Sequence, residues 1–236
     1  MAKARIYLLH GWSVDPDNEK KWSVFRQFLE KKEIETVFLG LPGLTTTNDE
    51  SWTLKDYVSW LEKQLPESKK VTLLGHSFGG QLATRFTAQH PDWVDRLILI
   101  DSAGIRDTQM LVVLKRFVFG ILAKIGRLAT KSILARTILY KVLRERDYLE
   151  ASPTLRATMR SVLADQVLDD LPKISCPTQI IWGKDDSQTP LRLGRRFAAG
   201  IPHANLEVIE SARHSPHFTH PAITSQVVTE FLEQNP

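Results

Sequence analysis

Short runs of apolar residues alternate along the chain with segments in which apolar residues recur every three or four positions. Runs without a polar face predict strands that are buried on both sides, at 6–9, 36–39, 71–74, 97–100, 179–182 and 206–209. Apolar stripes at helical spacing predict one amphipathic helix over 54–65 and another over 223–232. This alternation predicts an α/β fold with a mostly parallel central sheet flanked by helices.

The alternation of strand and helix stops between residues 105 and 171. No strand pattern occurs there, and apolar residues from Leu114 to Leu128 recur at helical spacing. Strands resume after the Cys176-Pro177 step. We therefore predict an α/β core of residues 1–104 and 172–236 with an all-helical cap, residues 105–171, inserted into it. The expected place of the cap is above the C-terminal ends of the strands, where open α/β sheets bind ligands.

Length and composition exclude several classes of protein. The chain has 236 residues, of which 42% are hydrophobic and 25% are charged, as in a folded domain with its own core. Cys176 is the single cysteine, so no intramolecular disulfide can form. No apolar stretch approaches the length of about 18 residues that a membrane helix needs. We expect a soluble, cytoplasmic protein without stable membrane insertion.

The net charge of +4 comes from one segment of the chain. Residues 106–150 contain ten Lys or Arg and four acidic residues, which is +6, so the rest of the chain carries −2. We therefore expect no nucleic-acid partner. The basic segment could recognise anionic substrates or a membrane surface, but Lys and Arg with buried stems and solvated heads are the commoner explanation.

A serine between glycines carries the strongest local signal, in the sequence Gly75-His76-Ser77-Phe78-Gly79 between a predicted strand and a helix. A serine held on a tight strand-to-helix turn has a strained backbone, and only small flanking residues leave room for it. The motif alone occurs by chance in roughly one chain in ten of this length, so its position after a strand is what matters. The alternative interpretation is that Ser77 is an ordinary helix N-cap.

An acid and a histidine follow Ser77 along the chain, each at the end of a predicted strand. Serine is a poor nucleophile at its free pKa, so it needs a histidine as general base, and the histidine needs an acid to fix its tautomer. Asp185 and Asp186 follow one strand, and His214 and His217 follow the last. The order serine, acid, histidine is typical of a nucleophile-elbow hydrolase. Asp101, after the strand at 97–100, is a further candidate acid.

With these motifs the chain resembles the α/β-hydrolase superfamily over essentially its whole length. The resemblance implies Asp186 as the acid, because it lies three residues after Gly183 in a Trp-Gly-x-x-Asp turn. It implies His214 as the base, because an Ala-x-His sequence precedes the last helix, which leaves His217 and His220 aside.

The resemblance extends to the loops around the predicted site. The turn His10-Gly11-Trp12 is similar to the superfamily's His-Gly turn, which implies that the backbone N–H groups of Trp12 and Phe78 form an oxyanion hole. Substrate contacts are expected from His10, Gly11, Trp12 and His76. The sequence departs from the superfamily at 40–45, Gly-Leu-Pro-Gly-Leu-Thr, which lacks the acid and the last glycine of Asp-x-Pro-Gly-x-Gly.

The function that the resemblance implies is that of a serine hydrolase, with a small-molecule ester as its partner. It would cleave small or medium carboxylic esters through an acyl-enzyme intermediate. The alternatives are a C–C bond hydrolase of the meta-cleavage product type, a thioesterase, and a non-enzymatic ligand-binding relative. Neither a glycine-rich phosphate loop nor clustered Cys/His spacing is present, so we expect no cofactor and no metal. The oligomeric state stays open.

Overall fold

A six-stranded parallel sheet forms the centre of the protein, whose computed structural model describes residues 4–15, 17–67, 70–106 and 152–236. The strands are β1 (Arg5–Leu9), β2 (Glu35–Leu39), β3 (Val71–His76), β4 (Val94–Ile100), β5 (Thr178–Gly183) and β6 (Ala204–Ile209). Their order is β2-β1-β3-β4-β5-β6, and every neighbouring pair is parallel. The six strands lie where the sequence predicts them, and the α/β fold class is confirmed, but β6 is not buried on both sides as expected, because Asn205 and Glu207 are exposed.

Helices cover both faces of this sheet. They are α1 (Asn18–Lys21), α2 (Ser23–Glu30), α3 (Leu54–Gln64), α4 (Phe78–Gln89), α5 (Pro153–Ala164), α6 (Leu191–Gly200), α7 (Pro216–Thr219) and α8 (Pro221–Gln234). A 3₁₀ helix covers Leu168–Lys173. One hydrophobic core joins the sheet to α3, α4 and α6, and a second core joins the opposite face to α2 and α8.

Successive residues of the central strands enter opposite cores. In β3, Leu73 belongs to the core under α3 and α4, whereas Leu74 belongs to the core under α2 and α8. Every residue of β3 is buried. A strand that is covered on both faces needs apolar residues at every position, which is why these strands appear in the sequence as continuous apolar runs.

The predicted stripe of α8 is partly wrong. Val228, Phe231 and Leu232 are buried as expected, but Ile223 is 47% exposed, and the neighbouring Thr224 is fully buried in its place. The hydroxyl of Thr224 donates a hydrogen bond to the carbonyl of His220, one turn earlier. A hydroxyl whose hydrogen bond is made within its own helix can be buried at little cost. A prediction that takes only apolar residues as buried therefore assigns this part of the buried face of α8 wrongly.

Most of the predicted cap, 107–151, lies outside the described residues, and the helical stripe over 114–128 lies there too. The last part of the predicted segment forms α5 and the 3₁₀ helix. This part is hydrogen-bonded to the core, because the amide of Gln81 on α4 donates to the carbonyls of Val162 (2.9 Å) and Asp165 (3.1 Å). The cap boundaries remain a prediction. Among the described helices, none combines the length and apolar character that crossing a membrane requires.

Candidate active site

Ser77 lies in the turn between β3 and α4. Its backbone has φ 51° and ψ −115°, a conformation that residues other than glycine rarely adopt and that costs about 1–3 kcal/mol. Backbone hydrogen bonds hold it there, because the Ser77 N–H donates to the carbonyl of Ile100 and its carbonyl accepts from Ala103, both at 3.0 Å. The hydroxyl makes no capping hydrogen bond to α4. Ser77 therefore occupies the N-cap position of α4, but its side chain does not cap the helix as an ordinary N-cap serine would.

Gly75 and Gly79 allow this turn to close. A Cβ on Gly75 would overlap the carbonyl of Gly79, and a Cβ on Gly79 would overlap the carbonyl of Leu9 in β1. Both obstacles are backbone atoms, so a rotamer change could not relieve either clash. The glycines are needed because the start of α4 passes directly against β1 and β3.

We expect Gly79→Ala to lower the free energy of unfolding by about 3 kcal/mol or more, because relief of the clash requires a shift of α4 or β1. Gly40→Ala is the matched control, since its added Cβ would meet side-chain atoms and no backbone, namely the hydroxyl of Thr45 at 2.9 Å and a methyl carbon of Thr46 at 3.3 Å. Urea unfolding followed by circular dichroism measures both variants. Equal losses of stability in the two variants would contradict the proposed clash.

The side chains of Ser77, His214 and Asp186 lie in a hydrogen-bonded row. The Ser77 hydroxyl is 3.0 Å from Nε2 of His214, and Nδ1 of His214 is 2.7 Å from Oδ2 of Asp186. Strands β3, β5 and β6 bring them together, because each residue follows the C-terminal end of its strand at the same edge of the sheet. The order of the sequence motifs predicted this convergence.

Asp186 is a buried carboxylate with several hydrogen-bond donors around it. Oδ1 accepts the backbone N–H groups of Gln188 (2.7 Å) and Thr189 (3.1 Å), and Oδ2 accepts the Thr189 hydroxyl and His214, both at 2.7 Å. Burial by itself would raise the pKa of Asp186, but the hydrogen bond and charge of His214, with the other donors, hold that pKa below its ordinary value. The group is therefore ionised at neutral pH. Asp185, the alternative acid, is exposed.

His76 supports the loop that carries His214. Its Nε2 donates to the backbone carbonyl of His214 at 2.8 Å, which fixes the position of the proton on the His76 ring. Burial and then the neighbouring His214 lower the pKa of His76 to about 3, so the ring is neutral. His217, the alternative base, is fully buried, and its ring nitrogens have no hydrogen-bond partner among the described residues. His220 was also not chosen as the base in the sequence analysis, and its Nδ1 is 2.9 Å from the hydroxyl of Thr219.

The N–H groups predicted for the oxyanion hole belong to Trp12 and Phe78. Phe78 is the first residue of α4, where an N–H has no partner within the helix. In the described part of the chain, neither N–H donates to another protein group. The two side chains contact each other, with ring centroids 5.8 Å apart. Two N–H groups without a partner among the described residues are what the predicted oxyanion hole requires, and the oxyanion hole stays a prediction.

His10 is placed differently from the expectation of a substrate contact. It is fully buried, and its Nδ1 is 2.7 Å from the carbonyl of Gly11. Its Nε2 accepts the N–H of Leu41 at 3.0 Å and lies 3.1 Å from the hydroxyl of Thr45. Burial lowers the pKa of His10 to about 4, so the ring is neutral. His10 therefore anchors the loop at 40–45, where the sequence departs from the superfamily pattern.

A pocket of about 240 Å³ lies beside Ser77 and His214. Gly11, Trp12 and His76, which were expected to contact substrate, line it. Several polar residues that sequence reasoning missed also line it, namely Ser13, Asn18, Lys21, Gln188 and Ser215. These residues come from loops and helix ends that no motif marks. They make the wall beside the candidate nucleophile largely polar.

Potential metal ligands also occur at this site. Single ligand atoms of His76, Asp101 and His214 lie within 4.8 Å of one another. Both ring nitrogens of His214 are already hydrogen-bonded, to Ser77 and to Asp186. His214 therefore has no free lone pair to offer a metal while this hydrogen-bonded row is intact.

Comparisons with known proteins agree with the fold and with the motifs. Residues 6–227 match the alpha/beta hydrolase family. The chain is 26% identical over 258 residues to the biotin biosynthesis bifunctional protein BioHC of Teredinibacter turnerae, and this match covers 97% of this chain but only 44% of that protein. It is 25% identical over 267 residues to the human monoacylglycerol lipase ABHD6, which covers 98% of this chain and 75% of the lipase.

A solved structure extends the comparison to three dimensions. The thermophilic esterase from Thermogutta terrifontis superposes with a TM-score of 0.69 at 23% identity, and the match covers 98% of this chain and 90% of the esterase. At that identity the likeness concerns the fold. The match over residues 6–227, together with the parallel sheet and the strand-to-helix turn at Ser77, shows that this chain belongs to the alpha/beta hydrolase family.

Proposed function

We propose that the chain is a serine hydrolase that cleaves small or medium carboxylic esters through an acyl-enzyme intermediate. The observation that carries this proposal is the hydrogen-bonded row from Ser77 through His214 to Asp186, with contacts of 3.0 Å and 2.7 Å. A hydroxyl, an imidazole and an ionised carboxylate in that order form the arrangement that turns a serine into a nucleophile. The strained backbone of Ser77 supports the same interpretation, because strain of this kind is concentrated at functional sites.

In the proposed reaction the Ser77 hydroxyl attacks the ester carbonyl and gives its proton to Nε2 of His214. The N–H proton of the neutral His214 ring is on Nδ1, which donates a hydrogen bond to Asp186, so Nε2 is free to act as the base. The N–H groups of Trp12 and Phe78 bind the oxyanion of the tetrahedral intermediate and contribute about 3 to 4 kcal/mol each in comparable sites. His214 then protonates the departing alcohol. Water attacks the acyl-enzyme by the same route and releases the acid.

The pocket of about 240 Å³ beside Ser77 offers room for a substrate group next to the proposed nucleophile. The names of two relatives, a monoacylglycerol lipase and an esterase, support the ester class. C–C hydrolases and thioesterases would use the same three side chains, so the bond that is cleaved has to be determined with substrates.

A fluorophosphonate probe tests the proposed function. We expect covalent labelling of the folded protein at Ser77, located by mass spectrometry of the labelled peptide, and a burst of p-nitrophenol from p-nitrophenyl esters as the acyl-enzyme forms. A panel with several acyl lengths, one thioester and one ring-fission product identifies the preferred bond. Absence of labelling in protein with native circular dichroism would instead favour a non-catalytic ligand binder.

A further inference from the structure

Asp101 is a buried carboxyl group to which the proposed mechanism assigns no role. It follows the C-terminal end of β4, its φ is 43°, and it is fully buried. Its Oδ1 accepts the backbone N–H of Gly183, at the end of β5, at 2.8 Å. Its Oδ2 is buried, and no described residue donates a hydrogen bond to it. An ionised carboxylate would therefore keep one oxygen out of water without a donor, which is costly.

The carboxyl of Asp186 is a neighbour of Asp101. The ionisable groups that face Asp101 are Asp186 on the loop after β5, His76 at the end of β3 and His214 after β6. Asp186 already accepts four hydrogen bonds, so it is the better place for a negative charge. A second charge beside it would be repelled. Two carboxyl groups can share a hydrogen bond only if one of them carries a proton.

We propose that Asp101 is protonated in the resting protein and donates its carboxyl proton in a hydrogen bond to the carboxylate of Asp186. The pair then holds a single negative charge, localised on Asp186, behind His214. Asp101 acts as a positioning residue, because it links the end of β5 through Gly183 to the carboxylate that orients His214. This role rests on the proposed function, whereas the presence of the proton does not.

The electrostatic surroundings support this assignment. Burial, and then the charge of Asp186, raise the pKa of Asp101 to about 9. The nearby ring of His76 is neutral, since burial lowers its pKa to about 3. A neutral imidazole cannot stabilise a second carboxylate by charge. The hydrogen bond to the backbone of Gly183 would favour ionisation, but it is weaker than burial and repulsion together.

Infrared difference spectroscopy tests for the proton directly and needs no turnover. At neutral pH we expect a C=O stretching band of a protonated carboxyl group that shifts in D₂O and disappears in Asp101→Asn. In the wild-type protein the band should fade as the pH rises through about 9. A wild-type spectrum without such a band, or the same band in Asp101→Asn, would overturn the proposal. The wild-type titration decides the question even if the variant does not fold.

The activity of Asp101→Asn tests the positioning role. The asparagine oxygen can still accept from Gly183 and its NH₂ can donate to Asp186, so kcat/KM should stay within about threefold of wild type. The acidic limb of the pH profile should move by less than about 0.3 units, whereas loss of an ionised neighbour would lower it by about 1 unit or more. Asp101→Ala removes both bonds and should lower kcat by about tenfold or more.

Two outcomes would contradict the positioning role, namely a large downward shift of the acidic limb in Asp101→Asn and unchanged kcat in Asp101→Ala. If the wild-type protein turns over no ester at all, the proposed function fails, and the infrared band still answers whether Asp101 holds the proton.

Discussion

Ser77→Ala is expected to lower kcat for an ester substrate by about 10⁴-fold or more, with little change in KM. The reason is geometric, because Ser77 is the hydroxyl within 3.0 Å of His214 Nε2. Without the hydroxyl no acyl-enzyme can form, and what remains is attack by water, assisted by the oxyanion hole and by substrate binding. Steady-state kinetics with p-nitrophenyl esters, combined with fluorophosphonate labelling, provide the measurement.

The Ser77→Ala variant should keep its fold, since alanine only deletes the hydroxyl and leaves the backbone bonds to Ile100 and Ala103 in place. Ser59→Ala on the exposed side of α3 is the control and should retain labelling and turnover. If Ser77→Ala retained most of its kcat, the nucleophile would have to be another group and the proposed mechanism would fail.

The sequence predicted the sheet and the meeting of Ser77, His214 and Asp186 for one physical reason. Strands buried on both faces must be apolar throughout, and parallel strands end at the same edge, so residues that follow different strands converge there. Because local chemistry and topology agree at these positions, motifs far apart in the chain could be combined. The choice between Asp185 and Asp186 depended on the family resemblance, because the spacing alone allowed either.

Other features could not be predicted, because tertiary contacts decide them. The sequence predicts a substrate contact from His10, but burial and the N–H of Leu41 make it an anchor for a neighbouring loop. Asn18, the first residue of α1, has no motif around it, yet it is buried and lines the pocket beside Ser77. Thr224 and not Ile223 lies on the buried face of α8, and this depends on a hydrogen bond from the Thr224 hydroxyl within the helix. Such contacts leave no periodic signal in a single sequence.

Asp101 shows why a list of candidate acids is not enough to assign roles. Asp101 and Asp186 both follow strand ends and both lie near His214. What separates them is the supply of donors, since among the described residues Asp186 receives four hydrogen bonds and the side chain of Asp101 receives one, from the backbone of Gly183. The charge is more stable on the carboxyl group with more donors. Asp101 is then suited to hold a proton, so the two acids have different roles in the same site.

Asp186→Asn is expected to lower kcat, and with it kcat/KM, by about 10⁴-fold while leaving the fold intact, which is the loss of kcat that this replacement causes in an established Ser-His-Asp site. The carboxylate is 2.7 Å from His214 Nδ1 and holds the ring with Nε2 towards Ser77. Asparagine can keep an oxygen towards Gln188 and Thr189, and its NH₂ group then faces His214. An amide NH₂ donates hydrogen bonds and cannot accept one, so Nδ1 of His214 must become the acceptor. The ring proton is then on Nε2, and the ring can no longer deprotonate Ser77.

The matched control is Asp185→Asn, which removes the same charge one residue earlier from an exposed side chain. It should leave kcat/KM within about twofold of wild type, because a solvated charge has little influence on a buried imidazole. The measurement is the pH profile of kcat/KM for both variants on one ester. A large loss in Asp185→Asn together with a small loss in Asp186→Asn would reverse the assignment. Comparable small losses in both would mean that His214 can deprotonate Ser77 without a carboxylate partner.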